Sequence, residues 1–402
     1  MSEIRDRKYG YRRMANFEAL RVVAIFMVII LHYLAHGGLL PGQEEELSRD
    51  TVTGAFIESF CIAAVNVWVL ISGYFLSKTG VSLKRLIRVI VEVLFYTIAI
   101  TGVMVITGHG SGISGGAYGL LEYFFPISSE HYWFATAYVF MYLFAPLLNK
   151  GVLTLSRKQL KYTIIGLLIW FSLIKSVIPV AFPTDDYGYG FGWFLCLYLI
   201  AAYMRRYEVS FLNTFRKSLA IYLSSSLLIF TITVVTQLIN EHTGRLSSWL
   251  GTPFHYNFLL VLTAALGLFG MFRHTQIKEG VAADAVRALA PLTFGIYLLH
   301  EHSAIRDRWL VWIQDFIGEI PHRNPFLLII HLITSAIIVF LAGAMVDFIR
   351  RIIFGWLQRV LSGTKPVLML KSLDSSIHKN TSEEERNIAT EGIINNNRYD
   401  NS

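Results

Sequence analysis

Apolar residues fall in long runs separated by short polar or basic links, over about residues 16 to 348. A helix needs about 20 mainly apolar residues to cross a bilayer. The pattern therefore predicts an all-α, polytopic integral membrane protein of about ten transmembrane helices. Expected spans cover about 16–36, 54–76, 131–149, 190–204, 218–239, 254–272, 288–304 and 325–348, with two more ending near 107 and 182. Residues 1–15 form a basic N-terminus with no small-residue cleavage signature, and the run after it is too long for a signal h-region, so it reads as a retained first span. Residues 351–402 read as a tail. From about Lys371 onward it is rich in Asn, Ser and Glu, and the expectation is disorder. No internal repeat of fixed period is visible.

The first span, NFEALRVVAIFMVIILHYLAHGG, carries Arg21 and His32 within its apolar run. Ionisable groups inside a spanning helix are costly and usually face a cavity or a partner. The interval between the two is close to three helical turns, so both side chains share one face, about 16 Å apart along the axis. Glu18 and His36 fall on or near that stripe.

Composition supports the membrane class. The chain is 54% hydrophobic and only 16% charged, with mean hydropathy +0.50, whereas a soluble domain is about 25% charged. The net charge of +7 sits in clumps between apolar runs, around 78–88, 150–161, 205–217, 273–287 and 350–359. That alternation fits the positive-inside rule rather than a nucleic-acid partner, and it predicts both termini on the cytoplasmic side of a cell (plasma) membrane. Two cysteines, Cys61 and Cys196, imply neither a disulfide framework nor a metal site.

Candidate chemistry follows from depth. An imidazole is suited to general-base work near neutrality, which makes His32 the candidate base and Arg21 its companion. Arg85 and Arg88 lie one turn apart at the start of the third span and offer a forked grip for phosphate; as plain positive-inside anchors they need no ligand. Lys175, deep in the fifth span, needs a partner such as Asp185 or Asp186, or an anionic substrate. His300 lies near the level of His32, and Trp133 opens a span at the outer surface. Glu18, Glu58, Glu122 and Glu301 are the carboxylates available to orient His32 through its second nitrogen. The spacing in HEHSAIRDR is not that of a metal site, and no metal is expected. Taken together, these groups predict a polar shaft through the bundle.

Several motifs, taken in order, are similar to the signature of the membrane acyltransferase-3 family. They are Arg-x10-His in the first span, NVWVLISGYFLSK at 66–78, Arg85-x-x-Arg88, HYWFATAYVFMYLFAPLL at 131–148 and the late FGIYLLH at 294–300. The likeness runs over residues 11–350. It implies a membrane acyltransferase domain over 16–350 with ten spans, a cytoplasmic acyl-CoA donor (acetyl-CoA on family grounds), and O-acylation of an extracytoplasmic polysaccharide, glycolipid or lipid-linked acceptor. It also implies His32 as catalytic base, Arg21 in the donor channel, and Arg85 and Arg88 as the donor-binding pair, with Ser72 and Gly73 beside them. Read without the likeness, Ser72 and Gly73 allow close helix packing. Lys175, His300, Trp133 and Glu18 remain candidates for the acceptor side or for supporting the base. The chain ends without a fused esterase-like domain, so any partner that finishes or delivers the product is expected to be a separate protein. The competing class is a secondary transporter or exporter of a sugar or anionic solute, in which the intramembrane Arg, Lys and His mark the substrate or proton path. A third reading is a domain that senses or scaffolds. Nothing in the sequence sets the oligomeric state.

Overall fold

The computed structural model describes residues 13–42, 47–108, 121–180, 183–370 and 372–376. The acidic link at 44–46, most of the basic N-terminus, much of the Gly-rich loop and the end of the tail lie outside the described residues. Every regular element among the described residues is a helix. In chain order these are α1 (Ala15–His36), α2 (Arg49–Cys61), α3 (Ala64–Thr79), α4 (Leu83–Ile106), α5 (Trp133–Thr154), α6 (Arg157–Leu168), α7 (Phe191–Arg206), α8 (Phe215–Thr243), α9 (Leu259–His274), α10 (Val281–Leu289), α11 (Thr293–His300), α12 (Trp309–Ile317) and α13 (Pro325–Leu361).

Nine helical stretches among the described residues are long and apolar enough to cross a membrane. The sixth expected span, α7, has 16 residues, about 24 Å of helix, which is shorter than the hydrocarbon core. Its flanks are closed by neighbours instead: Trp193, Phe194, Leu197 and Tyr198 are fully buried. The second span is two helices, α2 and α3, joined at Ile62 and Ala63. A Ser48–Thr51 capping box starts α2. Just inside α3, buried Asn66 donates to the Tyr256 carbonyl (2.7 Å) and accepts from the Trp193 indole (2.9 Å). The fifth span continues from α6 through a π-turn over Ile169–Leu173 to Val177. The ninth is α10 and α11 joined by a 3-10 turn containing Pro291, and it stops at His300 rather than 304. The tenth runs on to Leu361, so the first part of the expected tail is helical.

Buried α1 is the hub, packing on α2, α3, α9, α10, α11 and α13. Transmembrane helices approach closely where residues are small, and two glycines show it here. A Cβ on Gly73 would lie 3.0 Å from the Tyr198 Cα and the Ala201 Cβ of α7, and one on Gly267 of α9 would lie 2.6 Å from the Tyr222 amide of α8. The absence of a side chain at Gly73 is thereby required by the contact with α7.

Candidate active site

Helix α1 carries Arg21 and His32 toward opposite ends of the bundle. At the His32 end, α11 supplies His300 from its last turn, and Glu301 follows at once. The His32 Nδ1 lies 3.0 Å from His300 Nε2 and 3.1 Å from Glu301 Oε1. The other ring nitrogen of His300, Nδ1, is 2.6 Å from the Ile296 carbonyl. A carbonyl only accepts, so His300 Nδ1 holds the proton and His300 Nε2 is an acceptor. His32 therefore donates from Nδ1 to His300 Nε2, and Glu301 Oε1 lies close by without a hydrogen bond of its own among the described residues. Its Nε2 keeps the lone pair. The edge of Trp309 closes over His36 and His300, with ring centroids 6.3 and 6.5 Å away. Burial pushes the Glu301 carboxyl above its ordinary range, while His300, His36 and Arg306 pull it back.

His32 separates two cavities. The larger, about 580 Å³, opens at this end of the bundle between α1, α2, α8 and the loops before α7 and α9, and its walls include Glu58, Tyr189, His255 and Arg306. The smaller, about 30 Å³, is lined by Ile25, Val28, Val65, Trp68 and Phe294; that is the volume of about one water. His32, Trp133 and Tyr256 line both. Ile25 and Val28 lie on the Arg21 side of His32, so below His32 the bundle holds a small, mainly apolar cavity rather than the polar shaft the sequence predicts. Aromatic side chains from α3, α5 and α11 converge there, and Thr293 and Tyr297 add hydroxyls to a mainly apolar wall.

At the other end, the Arg21 guanidinium pairs with Glu18 and lies 5.9 Å from the Phe75 ring centroid. Glu18 is buried and also meets Arg13 at 3.4 Å. The Tyr138 hydroxyl lies near the Ser72 side chain and within electrostatic reach of both Arg21 and Arg85. Ser72 in turn donates to the Trp68 carbonyl at 3.0 Å. Arg85 is exposed and donates to Thr79 Oγ1 at 3.4 Å. Arg88 is exposed too, but lies within reach of Glu92, on the α13 side of α4. The structure thus gathers Arg21, Ser72 and Arg85 around Tyr138 and turns Arg88 toward another neighbour.

Lys175 belongs to neither group. It is buried, donates to the Val180 carbonyl and lies 4.0 Å from Asp185, whose other oxygen accepts from Asn257 at 2.7 Å. Of the two aspartates weighed from the sequence, Asp185 is the neighbour. Among the carboxylates weighed for orienting His32, Glu301 makes the contact, Glu18 sits at the far end and Glu58 lines the large cavity. The sequence singled out neither Tyr189, Tyr256 nor His255. The adjacency of Glu301 to His300 was the one available signal. One ligand atom each from His32, His300 and Glu301 lies within 4.8 Å of the others. Two imidazoles and a carboxylate are also a donor set that zinc accepts.

A family described as an acyltransferase domain, acyltransferase-3, has a model that matches residues 14–357. The chain belongs to the acyltransferase-3 family. No curated protein and no solved structure gives a match. For a membrane acyltransferase, the two ends of the bundle differ in a useful way. One offers exposed guanidinium groups, and the other an oriented imidazole at the floor of a cavity large enough for a sugar.

Proposed function

We propose that this acyltransferase transfers an acyl group, acetyl in the first instance, from cytoplasmic acyl-CoA to a hydroxyl of a polysaccharide, glycolipid or lipid-linked sugar presented outside the cell membrane. In this reading residues 16–350 are the catalytic membrane domain, both termini are cytoplasmic, and 351–402 is a cytoplasmic tail. The observation that carries it is the tautomer of His32: Nδ1–H is held by His300 Nε2 with the Glu301 carboxyl 3.1 Å away, which leaves the Nε2 lone pair for a hydroxyl in the large cavity. Arg85 and Arg88 take the phosphates of the donor. Arg21, with Ser72 and Gly73 beside it, lines the approach. The pantetheine arm reaches His32 by way of the small cavity below it, whose mainly apolar wall keeps water from the thioester.

His32 Nε2 removes the proton of the acceptor hydroxyl as its oxygen attacks the thioester carbonyl. The tetrahedral intermediate collapses, the C–S bond breaks, and the CoA sulfur recovers the proton from the imidazolium. The ester forms with no change of oxidation state. Glu301 stabilises the imidazolium in between, as the buried carboxylate does in a Ser-His-Asp triad.

Purified chain in proteoliposomes, given acetyl-CoA at the Arg85 face and a sugar acceptor at the other, is expected to release CoA thiol in step with new ester. EDTA is expected to leave the rate unchanged. A rate lost to EDTA and restored by zinc reassigns His32, His300 and Glu301 as ligands. Solute flux without CoA release selects the transporter reading. In cells, deleting the gene is expected to remove ester-linked acyl groups from surface glycans.

Glu301→Gln removes the anion beside the forming imidazolium. A hydrogen bond to a charged group contributes about 1.5–3 kcal/mol, so kcat is expected to fall about 10–100-fold. The imidazolium also loses a stabilising neighbour, so the acidic limb of the kcat–pH profile is expected to move to lower pH. An unmoved limb removes Glu301 from this role.

A further inference from the structure

Glu58 is the polar group of the large cavity that the chemistry above leaves unused. It projects from α2 into the wall that faces His32, is 5% exposed, and its Oε2 is sealed from solvent with no hydrogen-bond partner. Buried polar atoms are nearly always bonded, and leaving one unsatisfied costs about 1–3 kcal/mol. A carboxyl kept at that cost in the wall of the same cavity as His32 calls for a partner that arrives with the substrate. Its surroundings indicate the kind. Glu58 lies within electrostatic reach of Tyr189 and Tyr256, whose rings pack against each other with centroids 4.8 Å apart. The Trp133 ring lies 4.5 Å from Tyr189, tilted by 58°, and 5.7 Å from Tyr256, nearly parallel at 22°. An aromatic wall with one carboxyl suits a ligand that has an apolar face and hydroxyls at its edge, which describes a pyranose ring.

We propose that Glu58 binds the acceptor, gripping a hydroxyl adjacent to the one His32 deprotonates, and so selects sugars with two free neighbouring hydroxyls. This rests on the acyltransferase reading. Glu58 touches the substrate but takes no part in the transfer itself.

The test uses full-length chain in proteoliposomes with acetyl-CoA and a panel of methyl pyranosides and their single-deoxy analogues. Glu58→Met removes the carboxyl at similar length. It is expected to raise the acceptor KM about 10–100-fold, as loss of a hydrogen bond to a charged group does, with kcat and the acetyl-CoA KM within about twofold. Its thermal midpoint is expected to hold or rise, since an unsatisfied buried group has gone. Glu58→Gln, which can still bond a hydroxyl, is expected to recover most of the acceptor KM. One deoxy analogue is expected to show the same KM rise on the wild type and no further rise on Glu58→Met. An unchanged acceptor KM in Glu58→Met overturns the proposal. So does a fall in kcat together with a lowered midpoint, which makes Glu58 a structural group. A wild type that consumes no acetyl-CoA with any acceptor overturns the acyltransferase reading, and this one with it.

Discussion

Replacing His32 with asparagine is expected to lower acyl transfer about 10²–10⁴-fold, the range that a positioned general base contributes; this corresponds to roughly 3–5 kcal/mol of transition-state stabilisation. Asparagine is the informative choice because its amide N–H falls where Nδ1 was and still donates to His300. The substitution removes the Nε2 lone pair and little else. The His32 side chain is 21% exposed and its ring lies 5.1 Å from that of His300, so the shorter amide gives up part of that packing and the thermal midpoint is expected to fall only slightly. The measurement is CoA release by purified protein at matched abundance. Undiminished turnover would show that the acceptor proton goes elsewhere.

The second large effect concerns stability. Arg350 is buried in α13, although its place among the basic residues of the tail suggested a simple positive-inside anchor. Its Nη2 pairs with Glu92 of α4 at 2.9 Å, and its Nε with Asp347 at 2.6 Å. The Tyr96 hydroxyl donates to the same Asp347 oxygen at 3.0 Å, and the Phe354 ring lies 5.1 Å from the guanidinium. Removing one partner of a buried pair leaves an uncompensated charge and costs about 3–5 kcal/mol. Arg350→Met is therefore expected to lower unfolding free energy in mixed micelles by about that amount. Adding Glu92→Gln and Asp347→Asn is expected to restore most of it, because the stranded acids are then neutral. A single substitution that leaves stability unchanged would mean that water or lipid headgroups already solvate the network.

Both effects depend on groups far apart in sequence, and they mark how far the sequence could be read. The spans were legible because a bilayer demands long apolar helices with satisfied backbones, and few patterns meet that demand. The sharing of one face by Arg21 and His32 was legible because helical period is local. Partner choice was not. Glu301 was one of four carboxylates weighed for His32, and Asp185 one of two for Lys175; the packing of α11 on α1 and the turn before α7 made those selections. The break between α2 and α3 and the shortness of α7 also carry no strong local signal, with neither Gly nor Pro at Ile62–Ala63.

The sequence alone determined that the protein is a helical membrane bundle with a cation and an imidazole on its first helix, because length, hydropathy and helical period act within single segments. Tertiary structure decided which imidazole nitrogen is free, where the large cavity opens and that the space below His32 is small and mainly apolar. Those depend on how helices meet, and in a membrane that is set by side-chain fit and polar pairing between distant segments.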